Sequence, residues 1–279
     1  MQKTGGLPLR FAPRNDKTNT IKINNMKTTI TTILIFCALT MTAQNAREIS
    51  NKSMNATEVG DMEMISTINI YDAKGNVRTR QISTASRKFA DCTKMLIRFL
   101  APADVKGTAL LVYDYEDQDD SQWVYMPALR KVRRIVSAEK GRNFMGSEFT
   151  NADMSRPNQS DFDYQLLGET TLEGRKCWKI KAIGKTDAIK QQNGFSSIIS
   201  YIDQQTFLCY KIEYFDMSDK LHRIQYIADY KKQANGKYFA YRMTMQNVQN
   251  NRKSEMIVGK FQSGSKLPEH TFSPAVLDK

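Results

Sequence analysis

Two histidines, four cysteines and a short acidic run are the side chains of this chain best suited to chemistry, and their spacing supports little of it. His222 and His270 stand far apart, and neither sits at metal-ligand spacing from a cysteine. No G-x-S-x-G elbow, H-E-x-x-H pair or phosphate-binding glycine loop occurs. Glu116, Asp117, Asp119 and Asp120 fall together in an expected hairpin turn, where a solvated acidic loop is a more ordinary explanation than a calcium contact. The expectation is a non-enzymatic protein with no cofactor and no metal.

The cysteines point the same way. Cys37 lies inside an apolar run, which leaves the odd set Cys92, Cys177 and Cys209. Cys177 and Cys209 sit at similar levels in two strands with a third expected between them. Two strand spacings of about 4.8 Å put them near 10 Å apart, beyond the roughly 7 Å reach of a disulfide. They are expected to be unbonded to each other.

Basic residues carry the remaining chemistry. Arg130, Lys131, Arg133 and Arg134 form a strip that suits lipid headgroups or an acidic partner, and equally a solvated strand face. Arg98 is a candidate to hold a lid or a cargo headgroup, or to pair with a nearby carboxylate. Of the formal charge of +12, residues 1–43 hold +5, which leaves +7 on the rest. That charge is spread along strands rather than gathered in one helix or arm, so nucleic acid is not expected as a partner.

The elements that must position these groups are mostly strands. A short helix is expected from about Arg47 to Met54. Alternation through Met62, Met64, Ser66, Ile68 and Ile70 then starts a long antiparallel meander, with Asp72–Asn76 turning the first hairpin. Expected strands include Gln122 to Ile135 as one continuous element. One face is apolar: Trp178, Ile180 and Ala182 oppose Lys179 and Lys181, and Tyr210, Ile212 and Tyr214 oppose Lys211 and Glu213. Phe239, Tyr241, Met243 and Met245 repeat the pattern.

Little helix is available to cover that face. The only other cover is the long interruption from Ser137 to Asp163, which carries Phe144, Met145, Phe149 and Met154 among glycines and Pro157. Loops this long are usually functional or disordered. Alternation alone favours a close-packed core, whereas scarce cover favours a curved sheet around a pocket lined by adaptable methionines and aromatics.

At the N-terminus, Met26 and Lys27 precede an apolar run from Ile30 to Met41, then Thr42, Ala43 and Gln44. This has the layout of a secretory signal peptide and is short of the roughly 20 apolar residues that span a bilayer. The expected organisation is residues 1–25 as an over-extended N-terminus, 26–43 as the signal and 44–279 as one domain in the periplasm.

Between Met95 and Met154 the sequence resembles the LolA-like outer membrane lipoprotein-sorting family. The resemblance rests on Arg98-Phe99 and Pro102 with the later Trp123-Val124-Tyr125-Met126-Pro127, followed by GRNFMGSEFTNADM. LEGRKCWKI, Tyr201-Ile202-Asp203 and Asn235-Gly236-Lys237-Tyr238 extend it over nearly all of Asn45 to Leu277. The PALRKVRRI stretch and the long GRNFMGSEF insertion depart from the best-known members.

The resemblance implies a mainly β fold, an unclosed β-barrel in which a curved antiparallel sheet wraps a small helical and loop lid. It implies a periplasmic carrier that binds lipid or lipoprotein acyl chains, taking them from an inner-membrane exporter towards an outer-membrane acceptor. The alternative is a β-rich glycan- or protein-binding module without a lipid cavity. On the carrier reading the cavity candidates are Phe99, Leu111, Tyr113, Trp123, Tyr125, Trp178, Ile180, Tyr210, Ile212, Phe239 and Met243. Phe144, Met145 and Phe149 are lid candidates, and Arg98, Arg130 and Arg133 are headgroup or partner contacts. A one-residue register error would move any of the strand residues to the other face.

Overall fold

A computed structural model describes residues 1–2, 45–116 and 118–278 of the chain. The expected leader and its cleavage point, and Asp117 of the acidic turn, lie outside the described residues. The described residues from 45 onward form one compact unit.

Among the described residues thirteen strands make one sheet: β1 (Met62–Tyr71), β2 (Val77–Lys88), β3 (Cys92–Ala101), β4 (Ala109–Tyr115), β5 (Ser121–Met126), β6 (Lys131–Ile135), β7 (Phe162–Leu172), β8 (Arg175–Gly184), β9 (Ser197–Asp203), β10 (Cys209–Phe215), β11 (Leu221–Lys232), β12 (Tyr238–Asn247) and β13 (Arg252–Ser263). Every neighbour is antiparallel, in the order β6-β5-β4-β3-β2-β1-β13-β12-β11-β10-β9-β8-β7. Two meanders, β1–β6 and β7–β13, are therefore stitched along β1 and β13, and the sheet stays open between its edges β6 and β7. This is the unclosed barrel that the family resemblance implies. β9 lies between β8 and β10, with Cys177 opposite Asp203 and Cys209 opposite Ile202, and all three described cysteines are free.

Residues 45–56 form helix α1, whose Ala46, Ile49 and Ser53 are buried at a spacing that keeps them on one face. Between the two meanders, α2 (Ser137–Lys140) and a series of single 3-10 turns occupy the expected interruption. Helix α3 (Asp187–Asn193) is capped by Thr186, whose hydroxyl accepts from the Ile189 N–H at 3.2 Å, and ends at Gly194 with φ 76°. A Cβ on Gly141 at the end of α2 would stand 2.8 Å from the Gly194 Cα, so the two helices meet backbone to backbone.

One expected strand is two. Pro127 lacks an N–H and has a fixed φ, so the chain leaves the sheet there through a 3-10 turn (Pro127–Leu129) and a left-handed Arg130 with φ 46°. It then doubles back as β6, with Met126 opposite Lys131 and Trp123 opposite Arg134.

The sheet is buried on two sides in its first meander. A large cluster on the inner face includes Ile82, Ile97, Phe99, Leu110, Val112 and Val124 together with Ala46 and Ile49 of α1. A smaller cluster on the outer face joins Leu96, Ala109 and Leu111 to Phe272 and Leu277. The latter two belong to a C-terminal strap that follows β13 and crosses the outside of β3 and β4.

Candidate functional site

Cross-strand register decides what the inner face presents. Ile82 pairs with Phe99, Thr84 with Ile97 and Ile97 with Leu110, and Ser86 with Met95 and Met95 with Val112. Paired residues share a face, so these rows stack into one wall. On the facing meander Ile198, Ile212, Tyr214, Phe239 and Met243 supply the opposite wall. Between them lies an apolar chamber of about 360 Å³ that also takes in Met62, Met64, Met154 and Met256. Unbranched methionine side chains make such a wall adaptable in shape.

A second lobe of about 390 Å³ shares Met62, Met95, Met154, Phe239 and Met243 with the chamber, and so continues it. Its outer end is lined by Glu58, Lys88, Thr93, Asp114 and Arg156. The Asp114 carboxyl is pushed up to about 6, first by burial and then by the neighbouring Asp120 carboxylate.

The cover over the chamber is the segment from Phe144 to Met154. Phe144 is buried with its ring centroid 5.7 Å from that of Phe99, Met145 packs on the same cluster with a left-handed φ of 48°, and Phe149 and Met154 line the chamber. Polar contacts pin this segment to the second meander. Arg223 of β11 donates to the Glu148 carbonyl at 2.9 Å and pairs with Asp153 at 3.0 Å. Asn247 of β12 donates to the Glu148 carboxylate at 3.0 Å, Arg252 of β13 stands 2.9 Å from it, and Ser254 accepts from the Glu148 N–H. The lid is thus fastened by charged groups sunk in an otherwise apolar interior.

The expected site residues separate into three groups. Ile212, Phe239, Met243 and Phe149 line the chamber. Phe99, Ile180 and Phe144 are buried in the cluster around it, with Trp178 and Met145 packed on that cluster and Trp178 against Phe207 at 5.3 Å. Leu111, Tyr113, Trp123 and Tyr125 lie on the opposite, outer face under the strap. Their neighbours Leu110, Val112 and Val124 hold the inward places, because the run from Ala109 to Val112 is apolar at every position and gives no alternation to read. Tyr210 is displaced by a β-bulge between Cys209 and Lys211, where Cys209 packs on the cluster and Tyr210 instead stacks edge-on with Tyr230 at 5.4 Å.

The expected contact arginines do three different things. Arg98 donates to the carbonyls of Val276 at 2.7 Å and Leu277 at 3.2 Å, so it fastens the strap rather than the lid. Arg130 forms the β5–β6 turn, and Arg133 pairs with Glu139 at 2.6 Å. Missed from the sequence were the polar fastening of Glu148, Asp153 and Arg223, and the contribution of β1, β2 and β13 to the chamber. The alternating methionines of β1 were visible, but which way they faced was not. Burial pushes the Cys209 thiol up to about 12, which leaves it protonated and a poor nucleophile.

Comparison with known proteins adds the following. A family model described as "Uncharacterized protein" matches residues 91–279, more than half of the chain. No curated protein sequence matches. Among solved structures, a domain assigned to outer membrane lipoprotein sorting from Vibrio parahaemolyticus is 27% identical, with TM-score 0.79, over 85% of this chain and 100% of that one. A DUF1329 family protein from Desulfovibrio piger is 25% identical, with TM-score 0.78, over 85% and 99%. A LolA superfamily protein from Nitrosomonas europaea shares the fold at 17% identity, with TM-score 0.64, over 83% and 97%.

Proposed function

We propose that this chain, which belongs to the LolA-like family of outer membrane lipoprotein-sorting proteins, carries lipid or the acyl chains of lipoproteins in its apolar chamber. The observation that supports this reading is a methionine-rich cavity enclosed between two meanders and a lid that is fastened by its own polar residues. Each methylene taken from water contributes about 0.8 kcal/mol, so a ten-methylene segment gains on the order of 8 kcal/mol. No catalytic step is needed for that.

Residues 26–43 direct export, and the carrier works in the periplasm between an inner-membrane donor and an outer-membrane acceptor. Ile212, Phe239, Met243 and Phe149 touch the cargo, and the rest of the buried cluster sets the cavity's shape. Native mass spectrometry and lipid extraction of the protein taken from its own periplasm test the reading. Bound acyl species are expected. Protein free of lipid that also takes up no fluorescent fatty-acyl probe would place it among glycan- or protein-binding modules instead.

A further inference from the structure

The inner wall changes chemistry along its length. The rows Thr84–Ile97–Leu110 and Ser86–Met95–Val112 are followed, at the rim, by Lys88–Thr93–Asp114 in the same register. Beyond that row the second lobe opens into a third of about 530 Å³, lined by Arg47, Glu58, Thr93, Asp114, Glu116 and Arg156. Glu58, Thr93, Asp114 and Arg156 border both lobes and form a throat between the continuous apolar cavity and a polar vestibule.

The charges in the throat are unequally satisfied. Lys88 pairs with Glu116 at 3.0 Å and with Glu58 at 3.4 Å, and Arg156 pairs with Glu58 at 3.4 Å. Asp114 is half-buried and accepts only the backbone N–H of Arg156, at 3.2 Å, among the described residues. A carboxylate partly removed from water is costly when the neighbouring cations, here Lys88 and Arg156, are paired with other carboxylates. A ligand that brings one positive charge to this point, with hydrocarbon behind it, offsets that cost and fills the apolar lobes together.

Resting on the carrier reading, we propose that the throat at Asp114 binds the primary ammonium group at the head of an acylated cargo whose chains occupy the chamber. The ammonium donates to the Asp114 carboxylate, and Lys88 and Arg156 stand beside it to meet an adjoining phosphate or carbonyl. Such an ammonium has two sources, an aminophospholipid headgroup and the free α-amine of an acylated polypeptide.

The test compares purified full-chain protein with matched ligand pairs. One pair is phosphatidylethanolamine and its N-acetylated form with the same chains. The other is a diacylated cysteine peptide with a free or an acetylated α-amine. A fluorescent fatty-acyl probe without an amine reports on the chamber itself. At neutral pH at least a tenfold preference for the free amine is expected in one pair or both, and the preferring pair identifies the source. Asp114→Asn is expected to abolish that preference. The comparison within the unaltered protein stands even if the variant does not fold. Binding of the acyl probe with no preference in either pair overturns the ammonium site and leaves the carrier reading intact. A preference that persists in a folded Asp114→Asn protein also overturns it. No binding of the probe or of any ligand overturns both.

Discussion

The guanidinium of Arg223 on β11 stands 3.0 Å from the carboxylate of Asp153 in the lid, with 3% and 13% of the two side chains exposed. The same guanidinium donates to the Glu148 carbonyl and lies 4.7 Å from the centre of the Tyr214 ring, a chamber wall. Lid and wall are therefore held by one side chain.

Removing that side chain strands its partners. Arg223→Leu is expected to lower unfolding free energy by about 3–5 kcal/mol, the usual result of leaving a buried charge unpaired. Urea denaturation measures it. A loss under about 1 kcal/mol would mean that the contacts of Asn247, Arg252 and Ser254 with Glu148 and the packing of Phe144 and Phe149 hold the lid without Arg223.

Chamber and strap can be told apart by one kind of substitution. Ile212→Trp projects into the chamber and is expected to cut uptake of a fatty-acyl probe several-fold with little change in stability, because it fills space already present. Leu111→Trp enters the packed layer under Phe272 and Leu277, where overpacking typically costs about 1–3 kcal/mol. Its effect on uptake should be the smaller one. Equal loss of uptake in both variants, measured by titration and thermal melts, would contradict the assignment of the two faces.

Arg98 fastens the strap through two carbonyls. Arg98→Ala is expected to cost about 1–3 kcal/mol and to raise hydrogen exchange over residues 267–277 without exposing the lid. Unchanged protection of that segment would show that the packing of Phe272 and Leu277, with the contacts of Arg87, Lys94 and Tyr113, holds the strap without Arg98.

Asp114 gives a pH dependence whose sign follows from its raised pKa. The folded chain keeps a proton that the unfolded chain releases near 3.8, so this group makes stability fall as pH rises from about 4 to about 6. Below that window it has no effect. Glu58, Lys88, Glu116, Arg156 and Arg47 also line the throat or its vestibule, Asp120 raises the Asp114 pKa from nearby, and Glu58 is shifted the opposite way by Arg156 and Lys88 against its burial. The clean measurement is therefore the difference between the wild type and Asp114→Asn in denaturation across pH 4 to 8. The variant should gain relative stability as pH rises from about 4 to about 6 and then level off, and a flat difference across the whole range rejects the assignment.

Every strand except the division of β5 from β6, the antiparallel order, the lack of helical cover and the lid segment were legible in the sequence, because each rests on local periodicity and turn chemistry. Trp178, Ile180, Ile212, Phe239 and Met243 were oriented correctly because charged neighbours such as Lys179, Lys211 and Arg242 mark the wet face of their strands. In β4 the one charged residue, Asp114, stands on the chamber side with Leu110 and Val112 and so marks no wet outer face. Both of its faces are covered, one by the core and one by the strap, so Leu111 and Val112 differ in nothing that a pattern of residue types can express.

What tertiary structure alone decided was long-range pairing. That β1 meets β13 across nearly two hundred residues sets Met62 and Met64 beside the chamber, and it is fixed by the global closing of two meanders rather than by any short motif. The same holds for the two arginines that matter most. Arg98 reaches a strap 178 residues later and Arg223 a lid 70 residues earlier. Periodicity assigns a residue to a face, but a hydrogen bond between distant segments depends on where the whole sheet brings them together.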